Sequence, residues 1–173
     1  MRHISMLSLA VAAARVASFA NTNADAGIYI CTTAQADVLD EAAFELLTYV
    51  LIGDMGELGQ TGTQQNILTY DTWAESVVQK AKGMKNAGDP TLEVARKPTD
   101  AGQIALRAAA KTNLNYAFKI VRNDPATVDG TPTIIYNRGL VVGPARPNGR
   151  NEDFDLEVFT LGFQQEEIVV DPT

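Results

Sequence analysis

Between Tyr70 and Asp124 the apolar positions switch between a period of two and a helical period, and that switch organises the reading of the chain. From Ser76 to Met84, Val78, Lys80, Lys82 and Met84 fall on one face and Val77, Gln79, Ala81 and Gly83 on the other, which is a strand repeat. Neither face is fully apolar. Such a strand belongs at a sheet edge or against a neighbouring subunit, with Lys80 and Lys82 blunting it against wrong pairing. Asn86-Ala87-Gly88-Asp89-Pro90 then predicts a reversal, because Gly88 can take positive φ and Pro90 can open a strand but cannot sit in a central ladder. Thr91 to Ala95 returns as a short strand. Further on, Tyr116, Phe118 and Ile120 alternate with Ala117, Lys119 and Val121, a strand with an aromatic face.

The helical period lies between these strands. Pro98-Thr99-Asp100 stops the strand and starts a helix over Ala101 to Lys111, with Asp100 as its cap and Gln103 reaching back in a variant of the capping box. Such a cap contributes roughly 1 kcal/mol. Ala101, Ile104, Ala105, Ala108 and Ala109 are expected to form its buried stripe, small enough for the helix to lie close on a sheet.

Elsewhere the chain predicts strands. Ile28 to Thr33 is the first, and Cys31 within it is expected to be a buried small residue. Asp40 and Glu41 open a short helical turn, and Thr48 to Ile52 is β-branched and aromatic. Ile67 to Trp73 leads into the central unit. Thr133 to Val142 forms a strand with Gly139 as a bulge or bend, and Glu167 to Val170 closes the chain. In Phe154 to Phe163, Phe154, Leu156 and Val158 share one side while Phe159, Leu161 and Phe163 share the other. That strand is expected to bend, bulge or face another subunit. The fold class read from these periods is therefore mainly β with some α.

Several of these segments carry a resemblance. The run KGMKNAGDPTLEVARKPTDAGQIALRAAA, then YAFKIVRND, YNRGLVVGP and FDLEVFTLGF, resembles the tail tube (major tail) proteins of long-tailed, siphophage-type bacteriophages. The resemblance implies an antiparallel β-sandwich or partial barrel flanked by one helix, six copies closing into a ring, rings stacking into a tube, and genomic DNA passing down the lumen without specific binding. It implies as partners the chain itself and the other tail components (tape measure, tail terminator and distal tail protein), and as location the tail of a virion assembled in the host cytoplasm. In that family a long loop reaches toward the adjacent ring. Gly53, Asp54, Met55, Gly56, Glu57, Leu58, Gly59, Gln60 and Gly62, within the glycine-rich stretch Gly53 to Asn66, are the candidate inter-ring loop, a plain surface loop being the alternative. Lys80 and Lys82 are the candidate subunit boundary, opposite acidic residues.

Composition bounds what remains. At 173 residues and 46% hydrophobic the chain can bury one ordinary core, so a single domain over residues 28–173 is expected, preceded by an N-terminal arm over 1–27. That first stretch has a basic start and an apolar run from Met6 to Ala14, which imitates a secretory signal, but Arg15 directly after so short a run favours a retained arm. It is too short and too interrupted to span a bilayer, and no membrane insertion is expected. A net charge of −7 argues against a protein that grips nucleic acid by neutralising phosphates.

The chemistry of catalysis is thin. The single histidine, His3, lies in the arm, which leaves no Ser-His-Asp or Cys-His arrangement in the core and no His-based metal site. Gly83 to Gly88 imitates half a P-loop, then continues Asp89-Pro90 where Lys-Ser/Thr is required. Asn151-Glu152-Asp153-Phe154-Asp155 lacks the spacing of a calcium loop and reads as a solvated acidic turn. Asp153 and Asp155 share a strand side within about 7 Å, but with Trp73 as the only tryptophan the aromatic platform usual for sugars is lacking. No enzymatic activity and no cofactor are expected. Two alternatives to the tail tube stay open: a secreted or periplasmic β-sandwich binding protein with an N-terminal signal, and the related tube protein of a contractile injection system.

Overall fold

The computed structural model describes residues 22–73, 76–127 and 129–173, so the arm of residues 1–27 lies largely outside the described residues. In chain order the elements are β1 (Gly27–Ala34), α1 (Glu41–Glu45), β2 (Tyr49–Leu51), β3 (Met55–Leu58), β4 (Gln64–Tyr70), β5 (Gln79–Asn86), β6 (Thr91–Ala95), α2 (Ala101–Ala109), β7 (Tyr116–Val121), β8 (Ile134–Ala145), β9 (Leu156–Phe163) and β10 (Ile168–Val170). The main sheet is antiparallel, in the order β2-β1-β7-β8-β9-β6-β3, with β10 added on β8. Its two end strands, β2 and β3, follow each other in sequence through the corner Ile52–Asp54. The sheet therefore curls back on itself without closing, as a sandwich or partial barrel does. β4 and β5 pair only with each other.

Alternation decides which side chains meet. Ile28 and Ile30 of β1, Phe118 and Ile120 of β7, and Phe159, Leu161 and Phe163 of β9 point to one side and join Leu92, Val94 and Leu106 in the main core. On the opposite side Cys31, Ala117 and Tyr136 form a second cluster with Phe44 of α1, joined by Leu39, Tyr49 and Ile168. Phe44 stacks on Tyr136 with ring centroids 5.2 Å apart. Burial pushes the phenol pKa of Tyr49 and of Tyr136 upward, and the Tyr49 hydroxyl donates to the Phe44 carbonyl at 3.0 Å. The central strands are thus covered on both faces, and burying each large apolar side chain contributes about 1.5–3 kcal/mol.

Helix α2 begins at Asp100, whose carboxylate accepts from the Gln103 N–H at 2.8 Å, as a cap should. The helix turns a different face inward from the expected stripe. Gly102, Gln103, Leu106 and Ala109 are buried, whereas Ile104 is half exposed. Gly102 is the reason: a Cβ there would collide with the Leu51 carbonyl, so the bare backbone lets α2 touch β2 directly. Nor does Gln103 complete a capping box. Its side chain accepts from Lys97 N–H at 2.8 Å and donates to the carbonyls of Ala95 at 2.9 Å and Gly53 at 3.0 Å.

Two further expectations are corrected. Gly139 lies in regular register opposite Tyr116 and Phe163, and the irregularity of β8 falls between Val142 and Ala145, where Gly143 takes a φ of 123°. β9 stays regular across the whole expected face change. Its inward set is Glu157, Phe159, Leu161 and Phe163, all buried, while Leu156 and Val158 look outward half covered and Phe154 precedes the strand, exposed.

The inward carboxylate explains this register. Glu157 is fully buried, and its oxygens meet Arg107 Nη1 of α2 at 2.6 Å, Arg146 Nε at 3.1 Å and Arg96 Nε at 3.6 Å. Three guanidinium groups from three segments offset the loss of water around one carboxylate. Removing the carboxylate leaves cations facing a cavity, so Glu157→Ala is expected to cost about 3–5 kcal/mol in urea unfolding of the subunit. Arg107→Ala, which leaves Arg146 and Arg96 in place, is expected to cost less; equal stability of Glu157→Ala and the parent would mean that the cage contributes nothing.

Candidate assembly surface

β4 and β5 form an arm that the body does not need for its core. Their sequences alternate, but neither side of the pair is wholly apolar, so the hairpin has no face to give to a sandwich. In register, Ile67 stands opposite Lys82 and Thr69 opposite Lys80 on one side, with Leu68 opposite Ala81 and Tyr70 opposite Gln79 on the other. Seven residues of β4 reach roughly 23 Å along the strand. All seven are exposed.

The base of the arm is fixed to the body. Gly88, at a φ of 102°, bends the chain, and its N–H donates to the Asn86 side chain at 3.1 Å. The carbonyls of Gly88 and Pro90 then accept from Phe163 at 3.0 Å and Leu161 at 2.9 Å, which lays this segment along β9. Lys85 Nζ meets Glu166 at 2.8 Å, though both are half exposed and such a pair contributes little. The predicted reversal thus exists, but it returns the chain to the main sheet and leaves β5 unpaired with β6.

The arm concentrates apolar surface. Of fifteen large apolar side chains exposed among the described residues, seven (Ile67, Leu68, Tyr70, Trp73, Val77, Val78 and Met84) belong to it. Trp73 at its tip and Met84, 91% exposed, touch almost nothing. In soluble monomeric proteins apolar surface grouped in this way is characteristic of interaction sites. Lys80 and Lys82 are both exposed on the arm, and neither has an ion-pair partner among the described residues.

Gly53 to Asn66 departs from the continuous loop expected of it. Met55 to Leu58 form β3, paired with β6 from Met55 opposite Val94 to Leu58 opposite Leu92, and both Met55 and Leu58 pack on the main core. Gly53 sits at the corner held by α2, with its N–H donated to Asp100 at 3.3 Å, and Asp54 pairs with Lys97 at 3.2 Å. Gly56 and Glu57 are exposed on β3, and Gly59, Gln60 and Gly62 lie in the connection from β3 to β4, at the root of the arm. Counting glycines overlooked that a short edge strand needs few apolar positions. The signal that would have found the arm is two successive strand repeats, Ile67 to Trp73 and Ser76 to Met84, neither with an apolar face.

Other features of the surface are quieter. A cleft of about 710 Å³ opens where residues 23–28 face the free edge of β3, lined by Met55, Leu58 and Ile120 among others. In the acidic turn, Asp153 accepts from the Arg150 backbone N–H at 2.7 Å and Asp155 pairs with Arg96, beyond the end of β6, at 3.2 Å, so two of its three acids are engaged within the chain. Among the described residues no helix is long and apolar enough to cross a membrane.

Against known proteins the chain is matched by shape. No protein-family model matches it, and no curated protein does. Among solved structures, a chain of the anti-feeding prophage (AFP) baseplate, determined by cryo-EM with 6-fold symmetrisation, shares its fold at a TM-score of 0.54 and 9% identity, over 84% of this chain and 91% of that one.

The arm and β3 make opposite claims on the fold, which deletion separates. Replacing residues 65–85 by a short Gly/Ser turn is expected to leave a folded subunit with an unchanged thermal transition, because none of the core is removed. Deleting residues 54–62 is expected to abolish the transition, because β3 and its two core contacts go with it. A cooperative melt in the second variant, or none in the first, would reverse the assignment.

Proposed function

We propose that this chain is a tail tube subunit, a structural virion protein that self-assembles into hexameric rings which stack into the tube through which phage DNA reaches the host. One observation carries the reading: a body with a complete core projects an arm of about twenty residues whose apolar side chains are exposed in the single subunit. Such an arm has a physical use only against another molecule. The segments that resemble siphophage tail tube proteins support a ring of six, and so does the shared fold with a chain of a 6-fold symmetrised baseplate. In this reading the arm, with Gly59 to Gly62 at its root, makes the contacts between subunits or rings. Tape measure, terminator and distal tail proteins would meet the tube's lumen and ends, in the tail of a particle assembled in the host cytoplasm.

A second reading is favoured by the fold likeness itself. The AFP baseplate neighbour suits a ring or tube subunit of a contractile injection system, which would use the same arm within a sheathed tube. Both readings are structural and neither involves catalysis. The secreted binding module is the weaker alternative, since it leaves the exposed arm without a use.

Charge sets how such a tube would behave. Six copies at −7 each give about forty negative charges per ring, coupled over roughly 10 Å at 0.1 M salt. An acidic wall would repel DNA and so suit a conduit. The same repulsion opposes stacking, so purified subunits are expected to form tubes or six-fold rings in electron micrographs more readily as salt rises. Retention on a DNA column is expected to be negligible even at low salt. Monomers at all salt concentrations would exclude both assembly readings, and tight, salt-sensitive DNA retention would exclude an inert lumen.

A further inference from the structure

Charge along this chain is segregated. Between Arg15 and Lys80 there is no lysine or arginine, while nine aspartates and glutamates fall in that interval. Four of them, Asp37, Asp40, Glu41 and Glu45, crowd the segment around α1, and all four are exposed. None has an ion-pair partner among the described residues. Other acids are engaged: Asp54 by Lys97, Asp155 by Arg96, Glu157 by its arginine cage and Glu166 by Lys85. Asp40 caps α1 by accepting from the Ala43 N–H at 2.9 Å, and beside these acids stand Val38, 74% exposed, and Leu46, 86% exposed, two large apolar side chains with nothing over them.

The arm presents the complement. On one side of the β4–β5 hairpin Ile67 lies opposite Lys82, with Lys80 two residues further along the same strand face, so an apolar side chain and two unpaired cations share a surface. Adjacent positions on a strand face are about 7 Å apart. Glu41 and Glu45, four residues apart at the two ends of α1, project from successive turns, about 6 Å along the helix. The two spacings match.

We infer that the Ile67, Lys80 and Lys82 face of the arm docks on the α1 segment of a second copy of this chain, with the lysines against Glu41 and Glu45 and Ile67 against Leu46. The inference rests on the assembly reading above and adds to it the surface the arm meets. The field of the same acids is already felt inside the subunit: after burial, Glu45 and Glu41 are what raise the Tyr136 phenol. Lysines brought against them from a neighbour would neutralise that field. Contact pairs of this kind are screened less by salt than the net repulsion between subunits, so the two effects coexist.

Charge reversal in both surfaces tests it. Lys80→Glu with Lys82→Glu, and separately Glu41→Lys with Glu45→Lys, are each expected to raise the subunit concentration needed for assembly by at least about tenfold, since like charges then face each other. The four changes combined in one chain are expected to restore assembly to within about threefold of the parent. Thermal melts of each variant as isolated subunit establish that all are folded. If the single-surface variants assemble normally, the docking is wrong. If they fail and the combined chain also fails, α1 is not the partner, while tube formation by the parent leaves the assembly reading standing. Rescue of the lysine variant by Glu57→Lys with Glu93→Lys instead, the carboxylates that face each other across β3 and β6, would move the contact to that sheet edge and overturn the assignment. A parent that forms no assembly at all overturns the broader reading with it.

Discussion

The structure depends on one polar lock at the corner of the sheet. Gln103, wholly buried in the first turn of α2, spends both ends of its amide on backbone groups of Gly53, Ala95 and Lys97, and Asp100 beside it caps the helix while holding the Gly53 N–H. Those backbone groups lie at the turn from β2 to β3 and at the end of β6, so two side chains tie together both ends of a curled sheet. A buried amide bonded in this way stabilises by roughly 1 kcal/mol per bond but loses more if any partner is left unpaired. That asymmetry fixes one geometry. One turn further on, Arg107 anchors the same helix to β9 through Glu157 at 2.6 Å.

A body closed in this manner has no vacancy for β4 and β5. The β3 strand sits on β6, α2 and the main core fill the inside of the curl, and α1 with β10 covers the outside of β1, β7 and β8. The hairpin must leave at Gly59 and return at Gly88, where backbone bonds to Phe163 and Leu161 fix its base to β9. Rigidity in the body thereby becomes direction in the arm. In the proposed assembly a neighbour would meet an apolar and cationic surface whose base is already fixed to the body, which limits the entropic cost of docking.

Much of this was legible locally. β6 and β7 occupy the stretches that alternation assigned to them, Asp100 caps α2 as its position before the alanine-rich run implied, and Cys31 is buried in β1. What was not legible depended on distant partners. The face change expected in Phe154 to Phe163 did not occur because Glu157 shares the inward side with Phe159, Leu161 and Phe163, and nothing local shows that Arg96, Arg107 and Arg146 converge on it. The buried face of α2 was misread for the same kind of reason: Ile104 is the better hydrophobe, but Gly102 alone permits contact with β2. The glycines from Gly53 to Gly62 suggested a loop where Met55 to Leu58 pair with β6 as a strand, and the lysines of β5 marked an edge without saying that both strands of its hairpin would stand clear of the body.

The central claim is that the arm is assembly surface carried by a body already complete without it. Amide hydrogen exchange, compared between the isolated subunit and its assembled form, measures this directly. The account requires slow exchange in β1, β7 and β8 in both states, and in β4 and β5 fast exchange in the subunit that becomes slow on assembly. Equal protection of β4 and β5 in both states, with new protection appearing only elsewhere, would contradict it.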